Sequence, residues 1–225
     1  MPNSMRIPAP HGHLEARFRA AAGPARGFAV VCHPHPQHGG TMHTKAVFRV
    51  AQALAAAGFN TLRFNFRGVG TSTGSYGGGD GEREDLRAVI DWITERRPTT
   101  PMLLGGFSFG ARISLEVGVA DERALALFGL GFPVLKYGLG FLDGLAKPLL
   151  LVQGEHDEYG GSALLADTVR RLPGPITVRG IRGGDHFFNG RFRELQAVVR
   201  EYFSEGPGAA PFIGGGGVVK PGSGT

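Results

Sequence analysis

The 225-residue sequence has a single cysteine, Cys32, so no intramolecular disulfide can form. It also lacks a long apolar run. The longest, ALALFGLGF at 124–132, falls well short of the roughly 20 residues that cross a bilayer. The opening stretch MPNSMRIPAPHGHLEARF has no apolar core of signal-peptide length. These absences lead to the expectation of a soluble, cytoplasmic protein with no membrane partner. Lysine is scarce as well, standing only at 45, 136, 147 and 220, so the formal net charge of +5 comes from arginine. The arginines stand singly or in pairs and form no tract. That argues against nucleic acid as a partner and for an ordinary solvated basic surface.

Glycine, by contrast, is abundant at 38 residues, and many of them fall in two places that need no core. One is the loop from Gly68 to Gly81. The other is the end of the chain, SEGPGAAPFIGGGGVVKPGSGT, which has no periodicity. The expected organisation is a single domain over 1–204 and a flexible Gly/Pro-rich tail over 205–225.

Within the domain, short apolar runs alternate with amphipathic stretches. GFAVVCH (27–33) reads as a buried strand, and HTKAVFRVAQALAAAG (43–58) as a helix facing inward through Val47, Val50, Ala51 and Leu54. FNTLRFNFRG (59–68) is strand-like. DGEREDLRAVIDWITERRP (80–98) is a helix with acids in its first turn, arginines at its end, and a core face of Leu86, Val89, Ile90 and Ile93. The pattern continues with strands at 101–108, 123–131, 147–154 and 175–181, and helices at 109–119, 161–174 and 190–204. LEARFRAA (14–21) alternates and reads as an edge strand. Strands this apolar, separated by helices, predict an α/β class: a doubly wound, mostly parallel sheet with helices on both faces.

Gly106-Phe107-Ser108-Phe109-Gly110 lies where a predicted strand meets a predicted helix. A chain reversing that sharply holds its serine in a strained conformation with the oxygen projecting, and glycines on either side prevent collisions. The helix start behind Ser108 also favours developing negative charge. A serine nucleophile needs a base, and the base an orienting acid; where the serine stands on a strand-to-helix turn of an α/β sheet like this one, they follow in the chain order Ser, acid, His. After the apolar run 147–153 comes Gly154-Glu155-His156-Asp157-Glu158, where Asp157 is the chosen acid and Glu155 and Glu158 compete with it. After 175–181 comes Gly184-Asp185-His186, which makes His186 the base. Asp185 reads as a residue that structures its loop.

The stretch HPHPQHGG at 33–40 suggests a metal at first sight, since His33 and His35 form an H-x-H. That spacing belongs to barrels of ~250 residues, and no second ligand cluster accompanies it. No metal and no cofactor is expected, and His38 and His43 read as histidines packed within the loop. Asn65-Phe66-Arg67-Gly68-Val69-Gly70 does not complete a dinucleotide fingerprint, because the third glycine, Gly74, comes one position late. It reads as a loop beneath the rim of the active site, with Tyr76 a candidate substrate contact.

The sequence resembles the α/β-hydrolase superfamily over nearly all of 14–204. It is most similar to the small lidless serine hydrolases related to dienelactone hydrolase and carboxylesterases. The residues carrying the likeness are His33-Pro34-His35-Pro36 with Gly39-Gly40, Phe64 to Ser72, Gly106 to Gly110, Asp157 and His186. Many dienelactone hydrolases have Cys where Ser108 stands, so that activity is not implied. The resemblance implies a carboxylesterase-type enzyme with a small-molecule ester substrate. It also implies an oxyanion hole built from the Phe109 N–H and one N–H of the 33–40 loop. Proline has no N–H, which leaves His33, His35 and Gln37, and analogy with the family's His-Gly-x loop selects His35. Lids in this superfamily usually follow the strand after the nucleophile helix. Here only Phe132 to Ala146 is available, so no lid is expected and the cleft suits small or short-chain acyl groups. Phe132, Val134, Leu135, Leu139, Phe141 and Leu142 have three open roles: an acyl pocket, the core, or a contact between two copies of the chain. The rival functions are a thioesterase or peptidase using the same triad, a metal-dependent hydrolase, and a non-catalytic binding protein.

Overall fold

The computed structural model describes residues 5–213. Eight strands form one sheet: β1 (Met5–Ala9), β2 (Gly12–Arg19), β3 (Gly27–Cys32), β4 (Phe59–Phe64), β5 (Met102–Phe107), β6 (Ala124–Leu130), β7 (Leu149–Gly154) and β8 (Ile176–Ile181). Their spatial order is β1-β2-β4-β3-β5-β6-β7-β8. β2 runs antiparallel to β1 and to β4, and every later pairing is parallel. The carboxyl ends of β3, β5, β7 and β8 therefore open on one edge of the sheet, where open α/β sheets place their sites.

Helices cover both faces because the central strands are apolar on both sides. β3, β5 and β7 are buried along their whole length. On one face lie α1 (Lys45–Ala56) and α5 (Phe192–Ser204), and their apolar side chains pack with Ala29, Val31, Leu103 and Val152. On the other lie α2 (Asp80–Arg96), α3 (Phe109–Ala120) and α4 (Ser162–Val169), packing with Val30, Leu62, Leu104 and Leu151. Val47, Val50, Ala51 and Leu54 of α1 are buried, as are Leu86, Val89, Ile90 and Ile93 of α2, as their spacing requires. The segment between β6 and β7 contains one short 3-10 turn, Gly140–Leu142, and no lid insertion.

Three sequence-based expectations need correction. β2 is not the edge strand, because β1 pairs outside it in a hairpin whose turn spans Pro10 and His11. The short β1 carries Pro8, which a sheet edge tolerates. The predicted helix 161–174 ends early, at Val169, ahead of the Leu172-Pro173-Gly174 stretch that disfavours helix. Finally, the tail expected from residue 205 begins by packing on the domain. Ala209 and Phe212 are buried, and the Phe212 ring meets Phe59 edge-on with centroids 4.8 Å apart. The rest of the expected tail, 214–225, lies outside the described residues.

Phe212 therefore acts as a core side chain. Phe212→Ala should lower stability by about 3 kcal/mol in urea denaturation, whereas Ile213→Ala, at a side chain 66% exposed, should leave the midpoint unchanged. Equal midpoints for the two variants would contradict this packing.

Candidate active site

Ser108 sits between the last residue of β5 and the first of α3, at φ 56° and ψ −118°. A positive φ on a residue other than glycine is strained by about 1–3 kcal/mol and persists only where its surroundings hold it. They do so here. The Ser108 N–H donates to the Leu130 carbonyl at 2.8 Å, and the Ser108 carbonyl accepts from Ala111 and Arg112 to begin α3. A Cβ on Gly106 would lie 2.6 Å from the Gly110 carbonyl, and one on Gly110 would lie 2.4 Å from the His33 carbonyl oxygen. The two glycines thus let the turn close on itself and press against the end of β3.

Three expected residues meet at this turn. His186 Nε2 lies 2.9 Å from Ser108 Oγ, and its Nδ1 lies 2.9 Å from Asp157 Oδ2. A carboxylate only accepts, so Nδ1 carries the proton and Nε2 accepts from the serine hydroxyl. His186 is buried and enclosed by aromatic rings. The centroids of Tyr159, Phe107 and Phe187 lie 4.6, 5.1 and 5.2 Å from its own. The competing carboxylates do other things. Glu155 accepts the Gly183 N–H at 2.7 Å, Glu158 is exposed, and Asp185 caps its own loop through Asn189.

One residue of this assembly was not found from the sequence. Gln153, fully buried at the end of β7, accepts the Phe132 N–H. It donates to Asp157 Oδ2 at 2.9 Å and to the Phe132 and Gly160 carbonyls. Asp157 Oδ1 accepts the Tyr159 N–H at 2.8 Å. The acid is therefore held from three sides. An apolar strand ending in Gln offers little signal for this, since glutamine at a strand terminus is ordinarily solvated.

The 33–40 loop is built as much from backbone as from imidazole. Both ring nitrogens of His33 are engaged: Nδ1 donates to the Pro34 carbonyl at 2.7 Å, and Nε2 accepts the Phe66 N–H at 3.0 Å. The His35 carbonyl accepts from His38 and Gly40, closing the loop. His35 Nδ1 accepts the Gln37 N–H, which removes that donor, while Nε2 lies 3.2 Å from the Tyr76 hydroxyl. Among the described residues the N–H groups of His35 and Phe109 have no hydrogen-bond partner. His38 and His43 are exposed instead of packed within the loop, and His38 stacks on His35 with centroids 4.4 Å apart. Among the described residues no group of three His, Cys, Asp or Glu side chains is spaced to hold a metal ion.

These elements surround a cleft of about 180 Å³ that reaches Ser108 and His186 and is walled by His35, Phe109, Tyr159 and Phe187. From the segment after β6, its wall takes Pro133, Lys136 and Tyr137. Of the six apolar residues whose role the sequence left open, Phe132, Leu139 and Leu142 are buried in the core and Leu135 is exposed. The loop after β4 is fastened to α2 by Asp85, which accepts from the Arg67 N–H and guanidinium and from His11.

Comparison with known proteins agrees with this fold. The alpha/beta hydrolase domain family matches residues 30–201. An uncharacterized protein of Rickettsia prowazekii is 33% identical over 202 residues, covering 86% of this chain and 85% of that protein. Among solved structures, an alpha-beta serine hydrolase homologue from Coxiella burnetii is 38% identical with a TM-score of 0.84, covering 89% of this chain and 97% of that one. A Xanthomonas campestris protein described as a serine hydrolase without lid is 33% identical with a TM-score of 0.82, covering 89% and 92%.

His33 makes a prediction about pH. Burial pushes its imidazole from 6.5 down to about 4, outweighing the opposing hydrogen bond to Pro34 and the Asp85 charge. The folded state keeps it neutral, whereas the unfolded chain protonates it near 6.5. Its contribution is therefore full above that pH and is lost as pH falls from 6.5 towards 4. Over that window the wild type should lose roughly 3 kcal/mol more stability than His33→Gln. Parallel stability–pH curves would contradict the assignment.

Proposed function

The chain belongs to the α/β-hydrolase family, and from that premise we propose that it is a serine hydrolase that cleaves carboxylic esters of small or short-chain acyl groups. The observation that carries this reading is the unbroken hydrogen-bonded run from Ser108 through His186 to Asp157, at the carboxyl edge of the sheet. In the proposed mechanism Ser108 Oγ attacks the ester carbonyl carbon while His186 Nε2 takes the hydroxyl proton. Asp157, held by Gln153 and the Tyr159 N–H, fixes the Nδ1–H tautomer and balances the imidazolium. The tetrahedral oxyanion is received by the N–H groups of His35 and Phe109, whose lack of other partners supports this role. Collapse breaks the bond to the alcohol oxygen, which leaves with the proton from Nε2. Water then adds to the acyl-enzyme by the same route, releasing the acid and restoring the serine.

The absence of an insertion between β6 and β7, together with the small open cleft, supports short acyl groups. p-Nitrophenyl acetate and butyrate should be cleaved with higher kcat/KM than the decanoate. Ser108→Ala should lower kcat on the acetate by at least about four orders of magnitude. Asp157→Asn should lower it by roughly as much, and Glu155→Gln should leave it close to wild type. Wild-type turnover by Ser108→Ala would sink the proposal, and an unaffected Asp157→Asn would reassign the acid.

A further inference from the structure

Lys136 occupies an unusual place for an exposed lysine. It stands on the segment after β6, whose backbone is tied down on both sides. The N–H groups of Lys136 and Tyr137 donate to the Pro133 carbonyl, and the Leu135 N–H donates to the Tyr159 carbonyl. From there its side chain reaches over the active-site cleft, with Nζ 4.6 Å from the centroid of the Tyr159 ring. That ring in turn packs edge-on against His186. The ammonium is thus held by a cation–π contact one ring away from the base, where an unconstrained lysine would extend into solvent.

Among the described residues Lys136 forms no ion pair, and no Asp or Glu side chain lines the cleft. The neighbouring cations differ in this respect. Arg112, stacked on Tyr137, is paired with Glu116 at 2.7 Å, and Arg83 is paired with both Glu116 and Asp80. Glu82, whose charge acts on His35, is buried and spends both oxygens on the N–H groups of Gly77 and Gly79. The opposite wall carries His35 and His38. The mouth therefore carries a pre-positioned ammonium that forms no ion pair among the described residues.

We infer that Lys136 selects substrates bearing an anionic oxygen group, a carboxylate or phosphate, on the part of the ester that passes Tyr159. This rests on the serine esterase reading and extends it from bond type to substrate charge. Lys136 is a specificity residue here and takes no part in the proton transfers.

Three acetate esters of equal bulk near the carbonyl test it: neutral phenyl acetate, anionic 3-acetoxybenzoate and cationic 3-acetoxy-N,N,N-trimethylanilinium. Comparing each variant with the wild type on the same ester cancels intrinsic reactivity. Lys136→Ala should lower kcat/KM for the anionic ester about 5-fold, mostly through KM, and change the neutral ester less than about 2-fold. Lys136→Glu should lower the anionic ester roughly 10-fold or more and raise the cationic one. The wild-type preference should shrink towards that of Lys136→Ala as salt rises to about 0.5 M. If all three esters are cleaved and neither variant changes their ratio, the inference is overturned while the esterase reading stands. If the wild type cleaves none of them, the esterase reading fails and the inference with it.

Discussion

A methyl group on Gly110 would sit 2.4 Å from the His33 carbonyl oxygen, and one on Gly106 would sit 2.7 Å from that of Cys32. No side chain of any kind fits in either place, so the start of α3 can lie directly against the end of β3. The rest of the site follows from this approach. It forces the sharp turn that holds Ser108 at positive φ, and it brings the N–H of Phe109 beside the loop that carries the N–H of His35. Because β3 and β5 are adjacent parallel strands, with Cys32 opposite Gly106, the two donors come from neighbouring strand ends and need no long reach.

The other half of the site depends on buried polar groups that satisfy one another. Asp157, His186 and Gln153 are all buried, and an unpartnered polar atom in that setting would be costly. Gln153 uses both ends of its amide to join the segment after β6, the Asp157 carboxylate and the turn at Gly160. The acid loop and the start of the segment carrying Lys136 are therefore tied to each other through one buried side chain. His33 does the same for the opposite wall, tying its own loop through Phe66 to the stretch that Asp85 fastens onto α2. The walls are positioned by hydrogen bonds between segments and the floor by backbone contact.

What the sequence revealed is what local chemistry encodes. The helical spacing of Val47, Val50, Ala51 and Leu54, the apolar runs of β3, β5 and β7, and the glycine spacing around Ser108 are all short-range patterns, and each reappears in the structure. His186 was legible because it follows the last strand. What stayed hidden depends on distant partners. Gln153 looks like any polar strand end until Asp157 and Phe132 close around it. Phe212 looks like part of a glycine-rich tail until it meets Phe59, some 150 residues earlier in the chain. The 33–40 histidines were legible as a backbone loop once their prolines and glycines were weighed. What the sequence did not show is that the loop's one buried imidazole, His33, spends both nitrogens on main-chain groups.

The central claim is that the Ser108 oxygen is activated by His186 within the native fold. The most direct measurement is labelling of the folded, full-length protein with a fluorophosphonate probe, with the adduct mapped by peptide mass. The account predicts a single adduct on Ser108, formed much more slowly in His186→Ala. An unlabelled Ser108, or equal labelling rates in the two proteins, would contradict it.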